Sequence, residues 1–321
     1  MINNKILTIC IPTYNRPKAL KDQLQVLLPQ LNNEVKLVVR DNHSSYNLKK
    51  VSPELNYDKF EYVRNDFNIG ADANIARCLE TCNTKWLWIL GDDDLIKNDS
   101  VSNILDLLKS NPDCCYINLQ AKIDKEVTGF KGFANYLEIK GAFPNSFCTS
   151  LCLYNAEKLK SEMFFYYRNV SIMITQFTFL LKYLQNNPSE KCLFSTKQII
   201  DYQSLDISWS REEFIIYTSL IIYIFRDEKI FLNKNIFKSL GTMYYDFIFK
   251  EMPNISIYKK LKLLLFIVSK IGFFNTLYYN YITIFDNLLY NILLKKLYLK
   301  VKKLVIKVYL FQISKTISSI Q

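Results

Sequence analysis

The chain has 321 residues, half of them hydrophobic, which excludes a disordered polymer and leaves room for one large core or two ordinary ones. A single His, and eight Cys with no C-x-x-C pair, argue against a zinc site and for buried, reduced thiols. The formal charge of +11 is uneven, because residues 251–321 hold eleven Lys against Glu251 and Asp286, a balance of +9, so a nucleic-acid surface around a folded domain is not expected.

The first residues, MINNKILTIC, carry one Lys and no secretory pattern, so a cytosolic location is expected. KILTICI (5–11) reads as a strand, followed after Pro17 by a helix with Leu20, Leu24, Leu27, Leu28 and Leu31 at helical spacing. VKLVVR (35–40) and FEYVR (60–64) read as the next strands, then a helix over 71–81 with Ile75, Cys78 and Leu79 inward. WLWIL (86–90), a helix over 100–109 with Val101, Ile104, Leu105 and Leu108, and CCYINL (114–119) complete the series. This alternation predicts an α/β layout with a mixed, mostly parallel sheet flanked by helices. Residues 120–210 are mixed, with an extended hairpin expected near EVTGFKGF and a helix around MITQFTFLLKYLQ, and the chain reads as helical from 211 onward. The expected organisation is a domain over 1–210 and a basic helical region over 211–321.

In such sheets the working groups collect beyond the carboxyl ends of the strands. Here those positions hold PTYNRP, DNHSSYN, NDFNIG and GDDD, four polar loops that one sheet edge would bring into a cleft. Asp92, Asp93 and Asp94 follow an apolar run directly, and like charges about 4 Å apart repel by roughly 1 kcal/mol even in water. They are either a solvated turn or a site that meets a cation. Asp41 with Asn42, and Asn68 with Gly70, also suit simple turns, and His43 suits an exposed loop.

TICIPTYNR, VVRDNHSS, VRNDFNIGADANIARC and WLWILGDDDL, in that order over about residues 5–118, resemble the family 2 glycosyltransferases of GT-A fold, of the type that builds bacterial surface polysaccharides. The resemblance implies a nucleotide-sugar donor, with Pro12, Thr13 and Tyr14 lining the nucleotide, Asp41 accepting from the base, and Asn68, Gly70 and Asn74 matching an N-x-G-x-x-x-N pattern. It implies Mg²⁺ or Mn²⁺ shared with the diphosphate: Asp92 on ribose or metal, Asp94 on metal, Asp93 as an alternative ligand, with Gly91 standing where the family often has Asp. Arg16 and Arg77 are phosphate or structural partners. The family's base is an Asp, often in a Glu-Asp pair that this chain lacks, which leaves Glu162 and Asp201 as the candidates chosen from eight acids between 120 and 210. The Gln-x-x-Arg-Trp signature of processive synthases is also missing, so addition of a single sugar, with inversion, is expected.

In LLKKLYLKVKKLVIKVYL, Leu294, Leu297, Val301, Leu304 and Val308 recur at helical spacing with Lys296, Lys300, Lys303 and Lys307 beside them. This basic amphipathic pattern suits an anionic membrane surface or a protein partner. A transmembrane span is not expected, since the longest uncharged stretch of the tail, 271–285, has 15 residues and includes Asn275 and Asn280. The sequence therefore reads as a metal-assisted glycosyltransferase at the inner face of the cell membrane, acting on a lipid-linked O-antigen or capsule glycan. A nucleotidyltransferase and an inactive, membrane-associated nucleotide-sugar-binding scaffold stand as alternatives.

Overall fold

A computed structural model describes residues 5–139, 141–201 and 210–221, with isolated positions at 224, 236, 243–244, 255–256, 258–259 and 262–263. The chain divides into two compact units, Met1–Leu240 and Gly241–Gln321; the elements below all belong to the first. The basic pattern read at 294–308 lies outside the described residues.

Eight strands form one sheet: β1 Leu7–Thr13, β2 Val35–Asp41, β3 Glu61–Arg64, β4 Trp86–Ile89, β5 Cys114–Asn118, β6 Lys125–Thr128, β7 Cys152–Asn155 and β8 Lys191–Phe194. Their spatial order is β3-β2-β1-β4-β7-β5-β8-β6. β1 pairs in parallel with β2 and β4, and β2 with β3, whereas β7 runs antiparallel between β4 and β5. β8 is parallel to β5, and β6 antiparallel to β8. The mixed, mostly parallel sheet read from the sequence is the observed one.

The helices are α1 Pro17–Leu27, α2 Leu48–Val51, α3 Ala71–Glu80, α4 Ser100–Ser110, α5 Gly129–Tyr136, α6 Ala142–Asn145, α7 Ala156–Leu159, α8 Met163–Arg168, α9 Thr175–Asn186 and α10 Arg211–Thr218. Period-two alternation decides which strand residues meet which helices. Leu7, Ile9 and Ile11 of β1, Leu37 and Val39 of β2, and Trp86 and Trp88 of β4 share one core with Leu20, Leu24 and Leu27 of α1 and Val101, Ile104, Leu105 and Leu108 of α4. The alternate residues Cys10, Val38, Leu87 and Ile89 are buried too, and α3 packs against β1 and β4. Strands covered on both faces are apolar throughout, which is why they were legible. On α3 the buried positions are Asn74, Ala76, Cys78 and Leu79, with Ile75 half-buried rather than inward.

The hairpin expected at EVTGFKGF is not formed. β6 pairs with distant β8, and Gly129 opens α5 at φ 62°, where a Cβ would strike the Pro188 carbonyl. Phe133, Ala134 and Tyr136 are buried from the helix that follows. The eight cysteines are free thiols, and all but the half-buried Cys148 are buried. Among the described residues no helix is long and apolar enough to cross a membrane.

Candidate active site

Parallel pairing brings the carboxyl ends of β1, β2, β3 and β4 to one edge. Thr13, Asp41 and Arg64 sit side by side there as register partners, and Leu90, just beyond β4, donates its N–H to Cys10 O. The four polar loops therefore converge as the strand order requires.

The first two loops are joined. Asn15 takes φ 55°, a conformation Asn tolerates, and its side chain accepts from Ser45 N at 2.7 Å while its own N–H donates to Ser44 Oγ at 2.8 Å. Asp41 is fully enclosed. Its Oδ1 accepts from Ser44 N (2.9 Å), and its Oδ2 from Tyr62 Oη (2.6 Å) and Arg64 Nη1 (3.0 Å). Burial, then the bond to Asp41, raises the Tyr62 phenol well above its ordinary range, so it stays a donor. In this arrangement Asp41 holds the loop, and a base reaches it only after one of those partners moves.

A chain of amides links the second and third loops. Asn42 Nδ2 donates to Asn68 Oδ1 (2.7 Å), and Asn65 Nδ2 to both Asn42 Oδ1 and Asn74 Oδ1 (3.0 Å each). Asn74 Nδ2 closes the chain on Arg40 O at 3.1 Å. Asn74 is buried and engaged on both sides, so in this arrangement it braces the loop from beneath. Asn68 is exposed, and its Oδ1 also accepts from Gly70 N. Gly70 starts α3 at φ 85°, ψ 158°, a region essentially confined to glycine. The network members Asn42 and Asn65 were not singled out as functional from the sequence, where Asn42 read as part of a turn and Asn65 only as part of a polar loop. Tyr14 is exposed at the rim, Pro12 half-buried, and His43 exposed, with Nδ1 3.2 Å from Asn65 O.

The acidic turn follows β4. Thr13 Oγ1 donates to Asp92 Oδ2 (2.7 Å), and Arg16 Nη1 lies 2.7 Å from Asp92 Oδ1 and 2.8 Å from Asp93 Oδ2. Asp94 turns away from them and accepts from Ser150 Oγ. Burial pushes the Asp92 carboxyl above its ordinary range, opposed by Thr13 and Arg16. It does the same at Asp94, opposed by Ser150, with the charge of Asp93 adding to the push at both. At Gly91 a Cβ would lie 2.6 Å from Asp94 Oδ2, so any larger residue there would make the Asp94 carboxylate shift. Ser150 was invisible in the sequence, 56 residues downstream of Asp94, in a turn leading into β7.

Among the described residues no three Asp, Glu, His or Cys side chains converge to cage a metal. The turn instead offers hard carboxylate oxygens, desolvated at Asp92 and Asp94 and 31 % exposed at Asp93. That donor set fits Mg²⁺ or Mn²⁺, which take one or two protein carboxylates and complete their shell with phosphate and water.

The two candidate bases are placed very differently. β7 is antiparallel to β4, with Asn155 opposite Trp86, so the chain leaving β7 emerges at the amino end of β4. Glu162 lies seven residues further on and accepts from Asn186 Nδ2 at 2.7 Å, while neighbouring Lys160 reaches back to Cys82 O. It thus lies toward the side of the sheet opposite the edge bearing the acidic turn, and the structure does not bring it together with the other predicted site residues. Asp201 is brought in: its N–H donates to Leu95 O at 2.7 Å, next to Asp94, and Ile200 bridges Ile96. Asp72 at the start of α3 was not considered. It is half-buried, accepts from Met173 N at 3.1 Å, and burial lifts its carboxyl to about 6 against that bond.

Comparison with known proteins agrees with this geometry. The abequosyltransferase RfbV of Salmonella typhimurium is 31 % identical over 117 residues, which cover 34 % of each chain, so the match spans about a third of that protein. An uncharacterized glycosyltransferase of Haemophilus influenzae is 27 % identical over 214 residues, 60 % of this chain and 70 % of its own. The GalNAc(5)-diNAcBac-PP-undecaprenol beta-1,3-glucosyltransferase of Campylobacter jejuni is 25 % identical over 142 residues, 41 % of this chain and 45 % of its own. The fold is shared with the crystal structure of S. aureus TarS 1-349 in complex with UDP, at a TM-score of 0.58 and 13 % identity, covering 88 % of this chain and 83 % of that one. The family model described as Glycosyl transferase family 2 matches residues 8–181, more than half of the chain, and the protein belongs to that family of transferases.

Proposed function

We propose that the protein transfers one sugar, with inversion, from a nucleotide-sugar donor to a lipid-linked glycan during surface-polysaccharide assembly, assisted by Mg²⁺ or Mn²⁺. The observation that carries this reading is the junction of Thr13, Arg16 and the Asp92–Asp94 turn at the edge where the β1, β2 and β3 loops also end. A sugar diphosphate needs a nucleoside cradle, a counter-charge for its phosphates and an open side for the acceptor, and these loops supply the residue types for the first two.

In this reading Tyr14 offers an aromatic face to the base or ribose, and the amide chain through Asn42, Asn65 and Asn68 holds the third loop against the nucleotide. Asp92 and Asp94, with Asp93 as an alternative ligand, would hold the metal. When bound, that ion neutralises charge on the departing nucleoside diphosphate. Asp201 removes the proton from the acceptor hydroxyl as it attacks the anomeric carbon, and direct displacement with one base inverts the centre. The lipid-linked acceptor is supported by the name of the Campylobacter relative, and the diphosphate donor by the UDP complex of TarS. Attachment to the inner face of the membrane rests on the lysine pattern of residues 294–308.

The test is a panel of nucleotide sugars, assayed for transfer and hydrolysis with and without Mn²⁺, on the protein and its Asp94→Ala variant. Mn²⁺-dependent turnover that the variant loses supports the reading. Unchanged activity in Asp94→Ala sinks the metal assignment, pyrophosphate release would indicate nucleotidyl transfer, and nucleotide binding without turnover on any acceptor extract would indicate a scaffold.

A further inference from the structure

Three adjacent aspartates at a buried strand end need a positive partner, and the fold already contains one. The Arg16 Nη1 atom straddles Asp92 Oδ1 at 2.7 Å and Asp93 Oδ2 at 2.8 Å, so one cationic group already serves two carboxylates of the turn. Burial alone would lower its guanidinium, but the hydrogen bond and charge of Asp92, then of Asp93, hold it above its ordinary value.

We propose that Arg16 is the resident counter-cation of the acidic turn, and that a divalent ion must displace it to bind. This inference rests on the metal-assisted reading above. A guanidinium and a divalent ion held by the same two carboxylates repel each other, twice as strongly as two unit charges at the same distance would, so Arg16 and a divalent ion do not share the Asp92–Asp93 pair. The side chain has somewhere to go. It is 28 % exposed, against 6 % for Asp92, and Arg16, the residue before Pro17 at the mouth of α1, makes no side-chain capping bond to that helix. Once displaced, its planar fork of donors suits a phosphate. Arg16 is therefore a positioning residue: it keeps the aspartates folded in the absence of metal and sets the ion affinity of the turn.

The experiment is a titration of the full-length protein with Mn²⁺ alone, followed by electron paramagnetic resonance. Arg16→Gln, which removes the charge and keeps a polar side chain, is expected to bind Mn²⁺ about tenfold more tightly than the unaltered chain, and Arg16→Lys to stay within about threefold of it. Equal or weaker binding in Arg16→Gln overturns the inference. A second measurement needs no variant. In the unaltered protein, Mg²⁺ titrated to saturation should move the Arg16 guanidinium nuclear magnetic resonance signal toward that of free arginine, and an unmoved signal overturns the inference. If neither protein binds Mn²⁺ and sugar transfer survives a chelator, the metal-assisted reading falls with it. Equal affinities alongside Mn²⁺-dependent transfer remove the role of Arg16 alone.

Discussion

Ser150 and Asp94 are held together through one hydroxyl: Ser150 Oγ donates to Asp94 Oδ2 while accepting the N–H of Gly91 at 2.8 Å. The Ser150 carbonyl accepts the indole N–H of Trp88, also at 2.8 Å, so the strand carrying the acidic turn and the turn before β7 are locked at three points. Ser150→Ala leaves a half-buried amide and a half-buried carboxylate short of a partner, at a cost of about 1 kcal/mol. Urea denaturation of this variant, of Asp94→Asn and of the double variant should show strong non-additivity; additive losses would mean that the two residues act independently.

Asp201 and Glu162 make a matched pair for locating the base. Asp201→Asn is expected to lower the rate of sugar transfer by about 10²–10⁴-fold while leaving nucleoside-diphosphate binding intact. Glu162→Gln, altered at the opposite edge of the sheet, should leave both unchanged. Steady-state kinetics and calorimetric titration on the two variants check this, and normal turnover in Asp201→Asn would return the search to Asp72.

Asp72 gives the fold a pH dependence of defined sign. Its carboxyl ordinarily titrates near 3.8 and is lifted to about 6 by burial in the folded chain. Between those values the unfolded chain is ionised and the folded chain is not, so stability falls as pH rises through this window and levels off above about 6. The full loss is about 3 kcal/mol. Asp72→Asn keeps an oxygen for Met173 N, so at neutral pH this variant should be more stable than the unaltered protein and lose that part of the slope. Denaturation midpoints at pH 4, 5, 6 and 7 would show it, and parallel curves for the two proteins would refute it.

Gly70 is a test of backbone strain alone. No atom lies within 4 Å of where its Cβ would be, so Gly70→Ala meets no steric obstacle. The φ of 85° still makes an alanine costly, by about 1–3 kcal/mol. If the loop relaxes to avoid that strain, the contacts of Asn68 with Gly70 N and Asn42 go with it, and nucleotide affinity should fall with stability. A fully neutral Gly70→Ala would show that the loop does not need this conformation.

Much of the fold was legible because covered strands of a parallel sheet are apolar on both faces and end abruptly in polar loops, as Trp86–Leu90 followed by Asp92 does. The order of those loops told which residues would share an edge, because parallel strands put their carboxyl ends together. Local pattern did not reveal β7 and β8 or the partner of the extended segment that became β6, since β7 inserts between β4 and β5 and β6 finds β8 more than sixty residues away. Partner choice across such separations depends on the whole chain being packed. The same limit governed the site. Asp92, Asp93 and Asp94 announced a need for positive charge, but that Arg16 meets two of them while Ser150 holds the third is a matter of distances between loops. The placement of Glu162 at the far edge followed from the direction of β7, because a reversed strand returns the chain to the opposite side of the sheet.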